Sequence, residues 1–592
     1  MNRFRRWQLE SIRVAILLTT VALIWCVMLR KFDRADWQVL PNYAGDALNY
    51  AAWAKAAGEG QFLPFAPKFN RYLNAPFEAS WNDFPSTEDM LWAATGVGAR
   101  LFGLFRGLNL FYLLACSLAA ASFYLTARYL RYRWQWCMVG ALAFGLSPYA
   151  YYRGVDHLAL TFYWHLPLCL LVTWWAASRK GLPFGGRRFW CAIVVAVITG
   201  WQNPYYTCWF LQLLGVGALG HMVWLRKKWT CLVPTASVMA ATFLAFFSAN
   251  ADTFVYQAQA GRGSGALIRF YKDLEIYALR PVELFLPNSH RWPAFANLTT
   301  KYRADLAMPS NEPSTLGMNE PSYLGMIGAV GFLAMLGQVI WSVLKKRDRP
   351  DALALQAFWL IGYSIVGGLN GILGAAGLLL FRGQNRVSIF LLALALFFVV
   401  HKLSRLSVRW SPVGRAVVAL FLSIVIVWDQ WPPISPDSFA RTRELMESDK
   451  AFARRMEKEL PPGGMVFQLP VMRYPEAAKV NGRDLNYEHF RPYLFTNSLR
   501  YSYGTDKGRG DEIWQRRVAD MSPADQIAAL EKYGFAAIFI VRRGYPAMAD
   551  KLEDELCAQG KRIIVSRNHD LSCILLDPDP QPTLPEPGVP AK

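Results

Sequence analysis

Charged side chains are scarce in this sequence. Of its 592 residues only 18% are Asp, Glu, Lys or Arg, whereas 54% are apolar and 15% are aromatic. Soluble globular domains carry about 25% charged residues, so the composition argues against an ordinary soluble enzyme. The same apolar content excludes a disordered chain, and the lack of a short internal repeat excludes a coiled-coil or collagen-like rod.

Several motifs of soluble chemistry are missing too. No glycine-rich loop for nucleotide phosphates and no cysteine–histidine spacing of a zinc site occurs in the sequence. Of the nine cysteines, seven lie in or beside apolar runs, where a thiol serves as a small apolar group. The other two, Cys557 and Cys573, lie near the C-terminus, and a disulfide between them stays open.

Long apolar runs dominate what is present. A membrane-spanning helix needs about 20 apolar residues, and eleven runs approach or reach this length: 14–29, 108–127, 135–152, 159–177, 189–202, 205–224, 231–249, 321–344, 352–369, 387–401 and 416–430. Arginines precede the first run, as in a signal peptide, but residues 29–33 (LRKFD) are not a small-residue cleavage site. We therefore expect an uncleaved anchor and about eleven transmembrane helices.

The positive charge indicates how these helices are oriented. The net charge of +20 first suggests a polyanionic partner such as nucleic acid. With the N-terminus in the cytoplasm, however, the short cytoplasmic segments hold 22 Lys and Arg and only three acids. Cytoplasmic loops of membrane proteins are enriched in Lys and Arg, so topology accounts for the charge. We expect no nucleic-acid partner, and an odd number of spans places the C-terminus outside.

The predicted topology divides the chain into three parts. Residues 1–430 are expected to form an all-α polytopic membrane domain with outer loops at 30–107 and 250–320. Residues 431–577 are expected to form an extracytoplasmic α/β domain. Its predicted elements are strands at 465–470 and 536–541, a hairpin around 567–570, and helices at 438–459, 523–533 and 544–558. Residues 578–592 read as a proline-rich tail.

Acidic residues stand out at the predicted outer surface, where charges are costly unless they have a partner or a function. Asp46 begins an alanine-rich helical pattern shortly after the first span, and as the residue before a helix it also suits an N-cap. Asp83, Glu88 and Asp89 crowd before an amphipathic stretch at 88–107. Either Ser86 or Thr87 caps a helix whose first turn holds the acids, or the acids form a cluster that binds a metal or hydroxyl groups.

A second polar group lies at the turn between the third and fourth spans. Arg153, Asp156 and His157 fall close together there. Either Arg153 and Asp156 form a structural ion pair, or the group belongs to the site, with Asp156 and His157 catalytic and Arg153 binding the substrate or its phosphate. Further along, Asn203 precedes a proline among aromatic residues. That arrangement suits an aromatic belt at the membrane interface or a helix break that lines a cavity.

The last group is a pair of arginines, Arg382 and Arg386. They follow a glycine-rich apolar connector, which predicts a re-entrant or surface-lying segment. Arginine stays charged and binds phosphate in bidentate fashion. The pair therefore predicts either an anchor for lipid headgroups or a binding site for phosphate.

With these motifs, the chain resembles the GT-C superfamily of membrane glycosyltransferases across residues 10–430. The resemblance rests on the segment at 45–46, the acids of 82–89, the turn at 153–157 and the arginines of 382–386. It implies an inverting sugar transfer from a polyprenyl-phosphate donor, with these roles: Asp46 as base, Asp83, Glu88 or Asp156 as assisting or metal-binding groups, His157 as an orienting group, and Arg382 and Arg386 as phosphate clamp. The turn lacks the paired acids of some members, so a divalent metal cofactor stays open.

The predicted partners are membrane lipids, a polyprenyl-phosphate sugar and a glycan, lipid or protein acceptor. The resemblance also implies a multi-pass location in a bacterial inner membrane with a periplasmic C-terminal domain. Two alternatives remain: a transporter or flippase of a lipid-linked sugar, and a non-catalytic scaffold for envelope polysaccharide assembly. The sequence shows no pair of matching halves, which transporters often have.

Overall fold

The computed structural model describes residues 3–83, 88–261, 263, 269–287, 290–306, 322–345, 352–545 and 549–586. Up to residue 430 the described elements are helices and one two-stranded hairpin. In chain order they are α1 (Arg3–Met28), α2 (Asp46–Gly58), β1 (Phe69–Asn70), β2 (Ala79–Ser80), α3 (Asp89–Phe102), α4 (Leu104–Tyr129), α5 (Trp134–Gly145), α6 (Pro148–Arg153), α7 (Leu158–Thr161), α8 (Leu166–Ala177), α9 (Arg187–Gly200), α10 (Pro204–Trp224), α11 (Val233–Ala249), α12 (Ala251–Ala260), α13 (Tyr271–Ile276), α14 (Pro293–Leu306), α15 (Gly325–Leu344), α16 (Ala352–Ser364), α17 (Leu369–Ala375), α18 (Ser388–Leu406) and α19 (Pro412–Gln430).

Within the described residues, seven helices are long and apolar enough to cross a membrane, as expected of a multi-pass membrane protein. They are Trp7–Met28, Leu104–Tyr129, Pro204–Trp224, Trp229–Ala249, Gly325–Ser342, Gln384–Arg409 and Pro412–Gln430. The other four predicted runs contain the shorter helices α5, α8, α9 and α16, of 12 to 14 residues. A helix of that length reaches only about 21 Å, less than the bilayer core of about 30 Å. Eleven full-length spans are therefore not seen in the part of the chain that the structure describes.

Prolines at helix starts explain part of this difference. Ser147 caps α6 by accepting the Ala150 N–H at 3.1 Å, and Pro148 is the first residue of that helix. Pro167 lies in the first turn of α8, and Pro204 begins α10. Proline suits the first turn of a helix and interrupts its interior. The apolar runs in the sequence therefore continue across points where one helix ends and another begins.

Helix α18 is the centre of the membrane domain. All its residues from Ser388 to Phe398 are buried, and the helix packs against α5, α8, α15 and α16. Around it, α4 and α19 pack on α5, α1 packs on α4, and α8 to α11 form a second group. A helix that is apolar on every side is typical of such an interior position.

The C-terminal region contains a five-stranded mixed sheet and its helices. Its elements are α20 (Pro436–Glu459), β3 (Met465–Leu469), α21 (Phe490–Tyr493), β4 (Arg500–Tyr501), α22 (Asp511–Ala519), α23 (Pro523–Lys532), β5 (Phe535–Val541), α24 (Ala549–Cys557), β6 (Ile563–Val565) and β7 (Leu571–Leu575). The strand order is β4-β3-β5-β7-β6. β3 pairs in parallel with β4 and β5, and β7 pairs antiparallel with β5 and β6.

The first outer loop extends this sheet. The Tyr501 N–H donates to the Tyr72 carbonyl at 2.8 Å, and the Ala75 N–H donates to the Tyr501 carbonyl at 2.9 Å. Residues 72–75 thus lie beside the edge strand β4 and satisfy backbone groups that an edge strand otherwise exposes. The loop therefore ties the C-terminal sheet to the membrane domain.

Most elements predicted for the C-terminal region are present. β3, β5, the β6–β7 hairpin and helices α20, α23 and α24 coincide with the predicted segments, whereas α21, β4 and α22 were not predicted. Cys557 and Cys573 are free thiols, so the disulfide left open by the sequence is not formed. Residues 578–586 of the tail contain no helix or strand, and residues 587–592 lie outside the described part.

Candidate active site

A cavity of about 530 Å³ lies where the first outer loop, the turn at 153–157 and the C-terminal region meet. It gathers polar side chains that are far apart in the sequence. Of the residues predicted for the site, those that line it are Asp46, Asp83, Glu88, His157, Asn203, Arg382 and Arg386.

Asp46 and His157 form a pair on one wall of the cavity. Gly45, with φ of 54°, is the N-cap of α2, and Asp46 is the first helical residue. The interpretation of Asp46 as an N-cap is therefore wrong. His157 Nε2 lies 3.3 Å from Asp46 Oδ2, and the two side chains remain 25% and 43% exposed. An imidazole beside a carboxylate helps to fix the orientation of that carboxylate.

The remaining polar residues of this turn have other surroundings. Asp156 faces a separate recess, where Asn42 Nδ2 donates to its two carboxylate oxygens at 2.9 and 3.0 Å. Burial raises the pKa of Asp156 to about 7; the Asn42 hydrogen bond opposes this rise, and the nearby charge of Asp46 adds to it. Arg153 is buried, with its guanidinium carbon 5.3 Å from the ring centroid of Tyr149. Of this turn, only His157 lines the cavity.

The acidic cluster predicted at 83–89 is not formed, because its members find different partners. Asp83 accepts two hydrogen bonds from Arg509 of the C-terminal region, one of 2.9 Å from Nη2 to Oδ1. Asp89 begins α3 and pairs with Lys68 at 3.2 Å. Ser86 and Thr87, the predicted capping residues, lie outside the described residues.

Glu88, the third acid, faces the cavity together with Asn203. Asn203 Nδ2 donates to Glu88 Oε1 at 2.8 Å, and Asn203 Oδ1 accepts the Tyr205 N–H at 3.1 Å at the start of α10. Asn203 thus caps the start of α10 and binds Glu88 at the same time. Across the described residues, no three His, Cys, Asp or Glu side chains come together to hold a metal ion, so the acids there do not fit the metal site that the sequence left open.

Arg382 and Arg386 lie on another wall of the cavity. Arg382 lies 3.5 Å from Asp273, and its guanidinium carbon is 5.0 Å from the ring centroid of Tyr277. The guanidinium carbon of Arg386 lies 4.7 Å from the ring centroid of Tyr205. Stacking on an aromatic ring holds a guanidinium group in place without neutralising its charge.

Two charged lining residues, Arg269 and Glu476, were not assigned to the site by sequence reasoning. Arg269 was one of several charged residues in a long loop without any specific pattern. Glu476 comes from the C-terminal region, and no local motif marks it. Only the fold brings these side chains to the cavity, so neighbouring sequence carried no signal for them.

An apolar groove of about 530 Å³ adjoins the polar cavity. Its walls come mainly from α10, α11, α16 and the segment around α17. The groove and the cavity share three lining residues, Pro204, Phe246 and Phe381. α10 and α11 are both long enough to span a membrane. A molecule with a charged group in the cavity could therefore extend an apolar chain between these helices.

Comparison with known proteins gives matches only among solved structures, since no family model and no curated protein matches the chain. ArnT from Cupriavidus metallidurans, bound to undecaprenyl phosphate, is 14% identical, with 96% of this chain and 99% of that chain covered and a TM-score of 0.49. The archaeal oligosaccharyltransferase AglB from Archaeoglobus fulgidus, in complex with an inhibitory peptide and a dolichol-phosphate, is 10% identical, with 96% and 74% covered and a TM-score of 0.45.

These likenesses extend along most of the chain but are distant. At such identities and TM-scores they do not by themselves define a function, which has to follow from the residues of the cavity and the groove. The chain is similar in structure to these two proteins.

Proposed function

We propose that this chain is an integral membrane glycosyltransferase that moves a sugar from a polyprenyl-phosphate donor to a hydroxyl group of a glycan, lipid or protein. The observation that carries the proposal is the continuity of three features. A carboxylate–imidazole pair and two arginines line one cavity, and that cavity shares lining residues with an apolar groove between membrane-spanning helices. The groove suits the polyprenyl chain, and the arginines suit its phosphate.

The proposed reaction is a single displacement with inversion at the anomeric carbon. The acceptor hydroxyl oxygen forms a bond to that carbon, and the bond from the carbon to the phosphate oxygen breaks. The phosphate departs with the electron pair of that bond, and the hydroxyl proton moves to Asp46. His157 positions the Asp46 carboxylate. Arg382 and Arg386 stabilise the charge that develops on the phosphate.

We further propose that the protein lies in a bacterial inner membrane, with the cavity and the C-terminal domain on the outer side of that membrane. The excess of Lys and Arg in the short connecting segments of the other side supports this orientation. A maleimide that cannot cross membranes should label Cys557 in intact cells but not Cys231, which lies at the start of the Trp229–Ala249 span. Labelling of Cys231 without labelling of Cys557 would contradict the orientation.

The activity itself is tested by release of polyprenyl phosphate. Purified protein, supplied with polyprenyl-phosphate sugars and candidate acceptors, should release polyprenyl phosphate as the sugar is transferred. Asp46→Asn should lower this rate by about 10²- to 10⁴-fold, because it removes the base. Asp437→Asn, an exposed acid at the start of α20, is the matched control and should keep the rate. Wild-type protein that carries the donor across vesicles without releasing phosphate would indicate a transporter instead.

A further inference from the structure

A carboxylate of the C-terminal region lies between two arginines of the membrane domain. Glu476 Oε2 accepts a hydrogen bond of 2.9 Å from Arg269 Nη1, and Glu476 Oε1 accepts one of 3.1 Å from Arg382 Nη2. Lys507 Nζ also donates to the Glu476 backbone carbonyl at 3.3 Å. Each oxygen of the carboxylate thus faces its own guanidinium group, an arrangement that two oxygens of a phosphate adopt equally well.

Glu476 is held as an anion in this position. Burial opposes ionisation of its carboxyl group, but the charges of Arg269, Arg382 and Lys507 outweigh that effect and hold its pKa below the usual value. The residue belongs to the C-terminal domain, between β3 and α21, and its side chain lines the polar cavity.

The Glu476 carboxylate opposes the binding of an anionic ligand to the same arginines. Two like charges a few ångströms apart repel each other strongly in a partly buried site, and the guanidinium donors used by the carboxylate are the ones that a phosphate needs. A phosphate that binds between Arg269 and Arg382 therefore has to displace Glu476 first.

We propose that Glu476 is a displaceable occupant of the phosphate subsite and that Arg269 is a further phosphate-binding residue beside Arg382. This inference rests on the proposed function, because it takes the donor phosphate as the ligand. Donor binding releases Glu476 and with it the segment at 471–487 that carries it. Tyr487 belongs to that segment and lines the same cavity, so occupation of the phosphate subsite is transmitted to the C-terminal region.

The competition is tested by binding of farnesyl phosphate, a short polyprenyl phosphate, to the full-length protein. Glu476→Gln removes the competing charge and should lower the Kd about 5- to 20-fold, within the range of ordinary coupling between sites. Glu447→Gln is the matched control, since Glu447 pairs with Arg443 at 3.0 Å on α20 and does not line the cavity. An unchanged or raised Kd for Glu476→Gln would show that the carboxylate is not displaced and would overturn the proposal.

A second measurement needs no variant. Hydrogen exchange of backbone amides in 471–487 should be faster with farnesyl phosphate than without it, because the ion pairs that hold the segment are broken. Equal or slower exchange would contradict the displacement. If neither wild type nor Glu476→Gln binds farnesyl phosphate, the proposed function fails together with the subsite. Tight binding that Glu476→Gln does not improve contradicts the subsite alone.

Discussion

At the residue scale, two neighbouring acids of the candidate site have different surroundings. Asp46 faces the cavity beside His157, whereas Asp156 is held by Asn42 in a separate recess. The sequence identified Asp46 and His157 from their place at the predicted membrane surface, although they lie far apart in the chain. It could not separate Asp156 from His157, because adjacent residues in a turn can point in opposite directions.

The recess of Asp156 predicts a pH dependence of stability. Its folded pKa of about 7 is raised above the ordinary 3.8, so its ionisation lowers the stability of the fold as the pH rises from about 4 through about 7. Asp156→Asn lacks this ionisation. The Tm of Asp156→Asn minus the Tm of wild type should therefore be about 2–4 °C larger at about pH 8 than at about pH 5.

Thermal unfolding in detergent at both pH values measures this. A difference between Asp156→Asn and wild type that is the same at the two values would contradict the account of the recess. Because variant and wild type are compared at the same pH, the contributions of titrating groups that do not contact Asp156 cancel from the Tm difference.

At the element scale, long apolar runs identified the membrane helices and missed their interruptions. The seven full-length helices coincide with predicted runs, because a continuous apolar stretch of that length has few other stable structures. The breaks before Pro148 and Pro204 occur within or between such runs. Of these, the break at Asn203 was proposed to line a cavity, and the described structure places it there.

Elements of the outer loops are held together by a buried charge cluster. Lys68 contacts Asp89 at the start of α3 and Asp252 in α12, and all three side chains are at most 2% exposed. Burial raises the pKa of Asp89 to about 6 against the opposing charge of Lys68. Loss of the ammonium group would leave two buried carboxylates without their cation.

Lys68→Met should therefore destabilise the fold by about 3–5 kcal/mol, the range for breaking a buried ion pair. Chemical unfolding of the detergent-solubilised protein measures this loss. Lys551→Met is the control, because Lys551 is 69% exposed in its pair with Glu555 and should change stability by less than about 0.5 kcal/mol. A cost below about 1 kcal/mol for Lys68→Met would show that the cluster does not hold the loops together.

At the scale of the whole molecule, the C-terminal region contributes Glu476 and Tyr487 to the lining of the cavity. Sequence patterns predicted its strands and helices, since these depend on local alternation. They could not predict that residues 72–75 extend its sheet or that Glu476 reaches the cavity. The sheet contacts join segments about 430 residues apart, and the contacts of Glu476 with Arg269 and Arg382 join residues 207 and 94 positions apart. They depend on tertiary packing that no local pattern encodes.

In the proposed function, Asp46 is the base that takes the acceptor proton, and the donor is held by its phosphate and its polyprenyl chain. The most direct test measures donor binding and single-turnover transfer on one protein, Asp46→Asn. We expect Asp46→Asn to bind the polyprenyl-phosphate sugar with a Kd close to that of wild type. We expect its single-turnover transfer to be slower by at least about 100-fold. Transfer within about twofold of the wild-type rate at matched donor occupancy would contradict it.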